Sequence, residues 1–367
     1  MADMRVPFVN LGLQFANLES ELTKAFVDIG RSGQYILGDR LESFENKAAE
    51  FCEARHAIGV ANGSDALFLV LKALGIGPGD EVITATNSFI ASAWVVAATG
   101  ATPVLVDVDE DLNIRPSAIE AAVTKKTKVI IPVHLTGRAA AMDEINGIAE
   151  RHGLHVLEDA AQAIGARYKG RRVGSLGLAA GFSLHPLKNL SVYGDGGLIT
   201  TSDAPLAAKL RLLRNHGLRN RDECAVWGFN SRLDPMQAAF AEIKLARLDA
   251  WNTRCRNIAG IYRERLRGLV HVPEDKPWEQ NVYHNFVIRT PRRDDLMAYL
   301  QSRGVDTRVH YPIPIHLQDA AKDLGYRHGQ FPRAEEYAKT MVSLPIYPEL
   351  SNDEVEYVAS AVTDFFK

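Results

Sequence analysis

Between Ala57 and Ala163, short apolar runs alternate with stretches of helical periodicity, and this alternation limits the fold more than any other feature of the chain. Ala57–Val60, Glu81–Ala85, Pro103–Val108, Lys128–Val133 and His155–Asp159 read as strands, with helices after Ser64, over Ile90–Ala98 and over Met142–His152. Strands and helices in strict alternation predict a largely parallel sheet with right-handed crossovers. Sheets of that class bind ligands beyond the carboxyl ends of their strands. The residues that leave each strand are therefore the first place to look for chemistry.

Ala179–Leu184 reads as a further buried strand that Pro186 stops, and Lys188 sits at its exit among apolar neighbours. Desolvation disfavours an ammonium and frees a nucleophilic amine, which can form a Schiff base with a carbonyl. Taken alone, Lys188 reads more readily as an ordinary snorkelling surface lysine. Upstream, Glu158 and Asp159 end a strand. Adjacent strand side chains point to opposite faces, so one at most faces a site and the two cannot act as a hydrolase pair. An aspartate at one strand end and a lysine at the exit of a later strand suit pyridoxal phosphate. The lysine holds the aldehyde and the aspartate pairs with the protonated ring nitrogen. Asn62-Gly63-Ser64-Asp65 follows a strand and opens a helix, where free backbone N–H groups form an anion site. N-capping by Ser64 or Asn62 is compatible with that use.

Length and composition narrow the class. The 367 residues allow one large and one smaller domain. A net charge of -3 gives no electrostatic footprint for nucleic acid. No apolar run is long enough to span a membrane, and Met1-Ala2-Asp3-Met4-Arg5 leads into Pro7 without a secretory h-region. Three scattered cysteines, Cys52, Cys224 and Cys255, fit neither a disulfide framework nor a zinc site and suggest a reducing cytoplasm. Asp107-Val108-Asp109-Glu110-Asp111 has Leu112 and Ala118 where a calcium loop needs glycine and glutamate, and His134 has no ligand partner at suitable spacing, so no metal is expected.

Six segments, in order, carry a resemblance: Asn62–Leu67, Glu158–Ala163, Ser183–Lys188, Gly194–Gly197, Gly228–Asp234 and His310–Gln318. Together they resemble the DegT/DnrJ/EryC1/StrS sugar aminotransferases, from Val6 to the C-terminus. The resemblance implies an α/β, aspartate-aminotransferase-like (fold type I) transferase dependent on pyridoxal phosphate. Its mostly parallel seven-stranded sheet would lie in a large domain, residues 1–250, followed by a smaller α+β domain, residues 251–367. It implies Lys188 as the Schiff-base lysine and proton shuttle, Asp159 on the ring nitrogen, Gln162 holding the ring and Phe89 stacked on it. Ser64, the amides of Gly63 and Asp65, and the Ser183 hydroxyl would hold the phosphate. Asn230 matches the position that reaches the phosphate of the neighbouring subunit's cofactor, which implies a homodimer with shared sites. Tyr35 would stand at the mouth of its own or the partner subunit's site, and His310, Tyr311 and His316 on a substrate-facing wall.

The implied acceptor is a keto group on a nucleotide-linked deoxysugar, with glutamate or glutamine as amino donor. His310-Tyr311-Pro312-x-Pro314-x-His316-x-Gln318 is similar to members that aminate C3. His185-Pro186-Leu187 departs from the Tyr-x-x or Phe-x-x form of many C3 enzymes, which keeps a C4-keto sugar or a keto-cyclitol open. The related sugar dehydratases replace the lysine by histidine, whereas Lys188 occupies the family position. A non-catalytic regulator that binds the cofactor is the rival of another class; intact Lys188, Asp159 and Ser183 argue against it.

Elsewhere, periodicity predicts helices over 12–30, 41–52, 203–218 and 333–342, and a long one over Asp234–Arg265 with a break near Trp251. Val282–Ile288 reads as a strand, and the two prolines flanking Ile313 predict an extended loop over His310–Gln318.

Overall fold

The structure, a computed structural model, describes residues 4–367; the N-terminal reading of Met1–Asp3 lies outside the described residues. The strands are β1 (His56–Val60), β2 (Glu81–Ala85), β3 (Thr102–Val106), β4 (Thr127–Ile131), β5 (His155–Asp159), β6 (Arg167–Tyr168), β7 (Arg171–Arg172), β8 (Ala179–Ser183), β9 (Gly197–Thr201), β10 (Glu279–Gln280), β11 (Phe286–Arg289) and β12 (Met341–Leu344). Seven of them form one sheet in the order β1-β9-β8-β5-β4-β2-β3. Only β9 runs against its neighbours, pairing antiparallel with β1 and β8. The expected α/β class with a mostly parallel seven-stranded sheet is observed. Burial explains the continuous apolar runs, since both faces are covered: β2, β4 and β5 each bury nearly every residue.

The helix Gly63–Ala73 lies on one face through Leu67, Val70 and Leu71. The helix Met142–His152 contributes Ile145 and Ile148 to the other. A separate core forms around Cys255, Ile258, Tyr262, Phe286, Leu296, Leu344 and Val358, and Val6 joins it by pairing with Val305. The acidic run 107–111 is taken up by protein groups. Asp107 accepts the N–H groups of Arg333 and Ala334 at a helix start, and Asp109 pairs with Arg115 and Arg333.

Three expected elements end elsewhere. The helix predicted over 203–218 spans Ala204–Leu213, because His216 takes φ +57° and the chain turns into a hairpin that pairs Asn215 with Asn230. The long helix breaks at Ala246–Arg247, between Pro235–Leu245 and Leu248–Leu266, and not at Trp251. Ala246 and Arg247 both keep right-handed backbone and neither Pro nor Gly is present, so periodicity runs across the break. The strand read over Val282–Ile288 forms only at Phe286–Arg289, because Tyr283 takes φ +48°. The 310–318 loop is extended except for one tight helical turn at Ile315–Leu317.

Glu158 explains how β5 is locked in place. It points away from Asp159, fully buried, and accepts from Gly174, Leu176 and Gly177 N–H groups and from His134 Nε2 at 2.8–2.9 Å. Burial pushes its carboxyl up, but the His134 and backbone bonds outweigh that and hold it below the usual carboxylate range. Glu158→Ala strands several buried donors at once. Equilibrium denaturation should show a loss of about 3–5 kcal/mol, the cost of breaking a buried pair by removing one partner. A variant within 1 kcal/mol of the parent would show that the bonds carry little net stability.

Candidate active site

The carboxyl ends of β5 and β8 lie side by side, with Asp159 opposite Gly181. Asp159 is the last residue of β5, and Lys188 follows β8 after a turn closed by Lys188 N–H donating to the His185 carbonyl at 2.8 Å. Both line a cavity of about 540 Å³, a size suited to a cofactor with a small substrate. Burial holds the Lys188 amine down at about 8, although the Asp159 charge opposes the shift. Burial also pushes the Asp159 carboxyl up. Opposing that are the Ser92 hydroxyl, which donates to Oδ2 at 2.7 Å, and the Ala161 N–H, which donates to Oδ1 at 3.2 Å. A cationic ring nitrogen is the partner this buried carboxylate suits.

Gly63, Ser64 and Ser183 line the same cavity. Asn62 caps the helix: its side chain accepts the Asp65 N–H at 2.8 Å and its carbonyl accepts the Ala66 N–H at 3.1 Å. That leaves the Gly63 and Ser64 amides at the helix mouth, an anion cradle. Asp65 was expected to offer its amide too; the structure commits that amide to the cap, and Asp65 does not line the cavity. Gly197 keeps the cradle against the sheet, since a Cβ there would stand 2.2 Å from the Asn62 carbonyl oxygen. A lysine, a buried aspartate and an anion cradle around one cavity fit the chemical groups of pyridoxal phosphate.

Phe89 stands half-exposed on the rim, its ring centroid 5.7 Å from that of Tyr311. Gln162 is fixed from both ends: Oε1 accepts the Thr136 N–H at 2.7 Å and Nε2 donates to the Tyr311 hydroxyl at 3.2 Å. His310 lines the same wall, its Nδ1 2.9 Å from Ser343 Oγ, with burial and the Lys188 charge lowering it to about 4.

Three expected residues lie elsewhere. His316 does not reach the cavity: its ring is buried between Thr86 Oγ1 at 2.8 Å and Glu335 Oε1 at 3.1 Å, so it braces the loop from behind. Tyr35 is exposed, and its hydroxyl donates to the Gly30 carbonyl. Asn230 sits on the hairpin away from its own chain's cavity. Sequence reasoning missed His284, Asn189, Trp251 and Glu349, which all line the cavity. Only Asn189, beside Lys188, had a local signal. A second cavity of about 600 Å³ lies beyond Tyr283 and Asn285, but its charges are spent on each other, as in Arg333–Asp109 and Lys276–Asp111.

The lowered Lys188 amine has a direct consequence. Only the neutral amine attacks a carbonyl, so protein stripped of cofactor should capture pyridoxal phosphate faster as pH rises through about 8 and level off above it. Stopped-flow absorbance measures the rate; a rate still climbing tenfold per pH unit near 10 would mean an ordinary solvated lysine.

Comparison with known proteins gives the lineage. The sequence profile of the DegT/DnrJ/EryC1/StrS aminotransferase family matches residues 16–363. The chain is 47% identical over 364 residues to a dTDP-3-amino-3,4,6-trideoxy-alpha-D-glucose transaminase of Streptomyces venezuelae, covering 98% of this chain and 96% of that one. It is 46% identical over 369 residues to a pleiotropic regulatory protein of Geobacillus stearothermophilus, covering 99% of each. Among solved structures, S. venezuelae DesV in complex with a ketimine intermediate superposes with a TM-score of 0.97, at 46% identity and 99% coverage of both chains. The chain belongs to the DegT/DnrJ/EryC1/StrS aminotransferase family.

Proposed function

We propose that this chain is a pyridoxal-phosphate-dependent transaminase that moves an amino group from glutamate to the C3 keto group of a nucleotide-linked deoxysugar. One observation carries the reading: Asp159, buried, and Lys188, half-buried, face one cavity beyond adjacent strand ends. When bound, pyridoxal phosphate supplies an aldehyde that carries the amino group and a protonated ring that accepts electrons. Asp159 keeps the ring nitrogen protonated through a charge-assisted hydrogen bond. The Gly63 and Ser64 amides with the Ser183 hydroxyl hold the phosphate, and Phe89 covers the ring. Lys188 Nζ, poised near neutrality, takes the proton from the donor's α-carbon and later delivers one toward the sugar carbon.

The C3 assignment rests on the activity named for the S. venezuelae relative and on the His310–Gln318 motif. The regulatory name of the Geobacillus relative favours a sensor instead. Against that, the chain maintains a desolvated lysine and a buried aspartate in one cavity, an arrangement that costs stability and serves turnover. The same reading divides the chain into a cofactor-holding domain, residues 1–250, and a smaller domain, residues 251–367. Among the described residues no helix is long and apolar enough to cross a membrane, and the three free cysteines support a cytoplasmic setting.

We read the site as shared between two copies. The cavity of a single chain is lined by one lysine and no arginine, yet a nucleotide diphosphate calls for fixed cations. The hairpin that carries Asn230 also projects Arg219, Arg221 and Trp227, the last 94% exposed. An exposed aromatic of that size supports an interface, and a two-fold dimer duplicates each such contact.

Holoenzyme treated with borohydride should carry the label on Lys188, and its visible band should shift with glutamate and return with a nucleotide-linked 3-keto sugar. Label on another lysine, or a band that ignores every amino donor, would overturn the transaminase reading. Conversion of a 4-keto sugar or keto-cyclitol in place of the 3-keto sugar would move the site of amination.

Sharing has its own test. Lys188→Ala lacks the amine, and Asn230→Asp sets a carboxylate beside a phosphate. After subunit exchange, mixed dimers of these two variants contain one site with both wild-type groups, so activity should rise above either parent. No rise after confirmed exchange would assign Asn230 to its own subunit or to none.

A further inference from the structure

The segment Val282–Asn285 is held unusually tightly for a stretch with no regular structure. Val282 N–H donates to the Gly137 carbonyl at 3.0 Å, and Asn285 N–H to the Thr136 carbonyl at 3.3 Å. From the other side, Asn189 Nδ2, one residue beyond Lys188, donates to the Val282 carbonyl at 3.1 Å. The Tyr283 hydroxyl accepts from Arg263 at 2.6 Å and donates to Asp275. Two of these residues occupy left-handed backbone without being glycine: Tyr283 at φ +48° and the β-branched Thr136 at φ +62°. The approach is so close that a Cβ at Gly137 would meet the backbone nitrogens of Tyr283 and His284 at 2.9 and 2.8 Å. Backbone held in such regions persists only when its surroundings over-determine it, and it concentrates at functional sites.

From this segment His284 lines the cavity. Of the three histidines on that wall, it alone is uncommitted. His310 Nδ1 meets Ser343 Oγ, and His185 Nδ1 accepts the Leu187 N–H at 3.3 Å. Neither ring nitrogen of His284 has a hydrogen-bond partner among the described residues, and burial with the nearby Lys188 charge holds the ring neutral. The adjoining Asn285 Nδ2 and the Asn189 Oδ1 are buried without partners, and both residues line the cavity. Buried polar atoms without partners are rare in a folded chain, and two of them beside an uncommitted imidazole on one cavity call for a polar ligand. Glutamate's carboxylates need cations, which a neutral imidazole and two amides do not supply. A sugar hydroxyl, both donor and acceptor, suits all three.

We propose that His284 is a sugar-contacting residue of the transamination, its ring hydrogen-bonded to a hydroxyl next to the carbon that receives the amino group. This rests on the nucleotide-sugar reading above. Asn189 is then a positioning residue that ties the lysine-bearing turn to the backbone carrying His284. A site that bonds a hydroxyl rejects analogues lacking it, because its own polar groups are left unpaired. His284 therefore discriminates among deoxysugars while taking no part in reaction with the amino donor.

The test uses holoenzyme with His284→Phe, which keeps a ring without hydrogen bonding, and His284→Gln, which keeps a donor and an acceptor. The probe is a thymidine-diphosphate-linked 3-amino-3,6-dideoxyhexose, run as amino donor in the reverse direction, with glutamate measured in parallel by absorbance. His284→Phe should lower kcat/KM for the sugar at least tenfold, while the glutamate half-reaction stays within twofold of wild type. His284→Gln should recover part of the loss. Equal losses with sugar and glutamate would make His284 structural and overturn the proposal, as would sugar constants within twofold of wild type in both variants. Wild-type enzyme that converts the probe in neither direction would instead overturn the proposed function itself.

Discussion

The parallel pairing of β5 with β8 is the contact on which the rest of the site depends. It sets Asp159 beside Gly181 and sends both chains out of the sheet at the same edge, so a carboxylate and the lysine after the next turn meet across one cavity. Burial dominates both groups. It lowers the amine to about 8 despite the carboxylate, and raises the carboxyl despite the Ser92 hydroxyl and the lysine. Neither charge is fully satisfied by the other, and a ligand with an aldehyde and a basic ring nitrogen relieves both.

The neighbouring residue shows how the sheet sustains this. Glu158 spends its carboxylate on three backbone amides and a histidine on the opposite face. Two adjacent acids on one strand thus divide the labour: one anchors the turn 174–177 that leads into β8, and the other faces the ligand. The alternation of side chains along a strand enforces the division. A similar economy holds at the far wall, where left-handed residues at Thr136 and Tyr283, costing roughly 1–3 kcal/mol each, are held by the Val282 and Asn285 N–H groups donating to the Gly137 and Thr136 carbonyls.

Several residues of the site were legible before any coordinates. Lys188, Asp159, the Asn62–Ser64 turn and Gln162 each sit at the end of a strand or the start of a helix, and both kinds of element announce themselves by local periodicity and turn residues. His316 was misplaced because loop sequence records composition and not direction: between Thr86 and Glu335 its ring faces the protein, while His310 and Tyr311, a few residues earlier, face the cavity. Likewise the Asp65 amide looked available until the Asn62 side chain was seen to take it.

The sequence by itself determined the alternating elements, the mostly parallel sheet, and the lysine–aspartate pair at two strand ends, because these follow from side-chain period and chain punctuation within a few residues. Tertiary structure alone decided that Val282–Asn285 leave the expected strand and that His284 lines the cavity with Lys188. It also decided that Val6 packs with the C-terminal core. Those outcomes depend on bonds between residues more than a hundred positions apart, such as Val282 with Gly137 and Val6 with Val305, and no local pattern encodes which distant partner a backbone group will find.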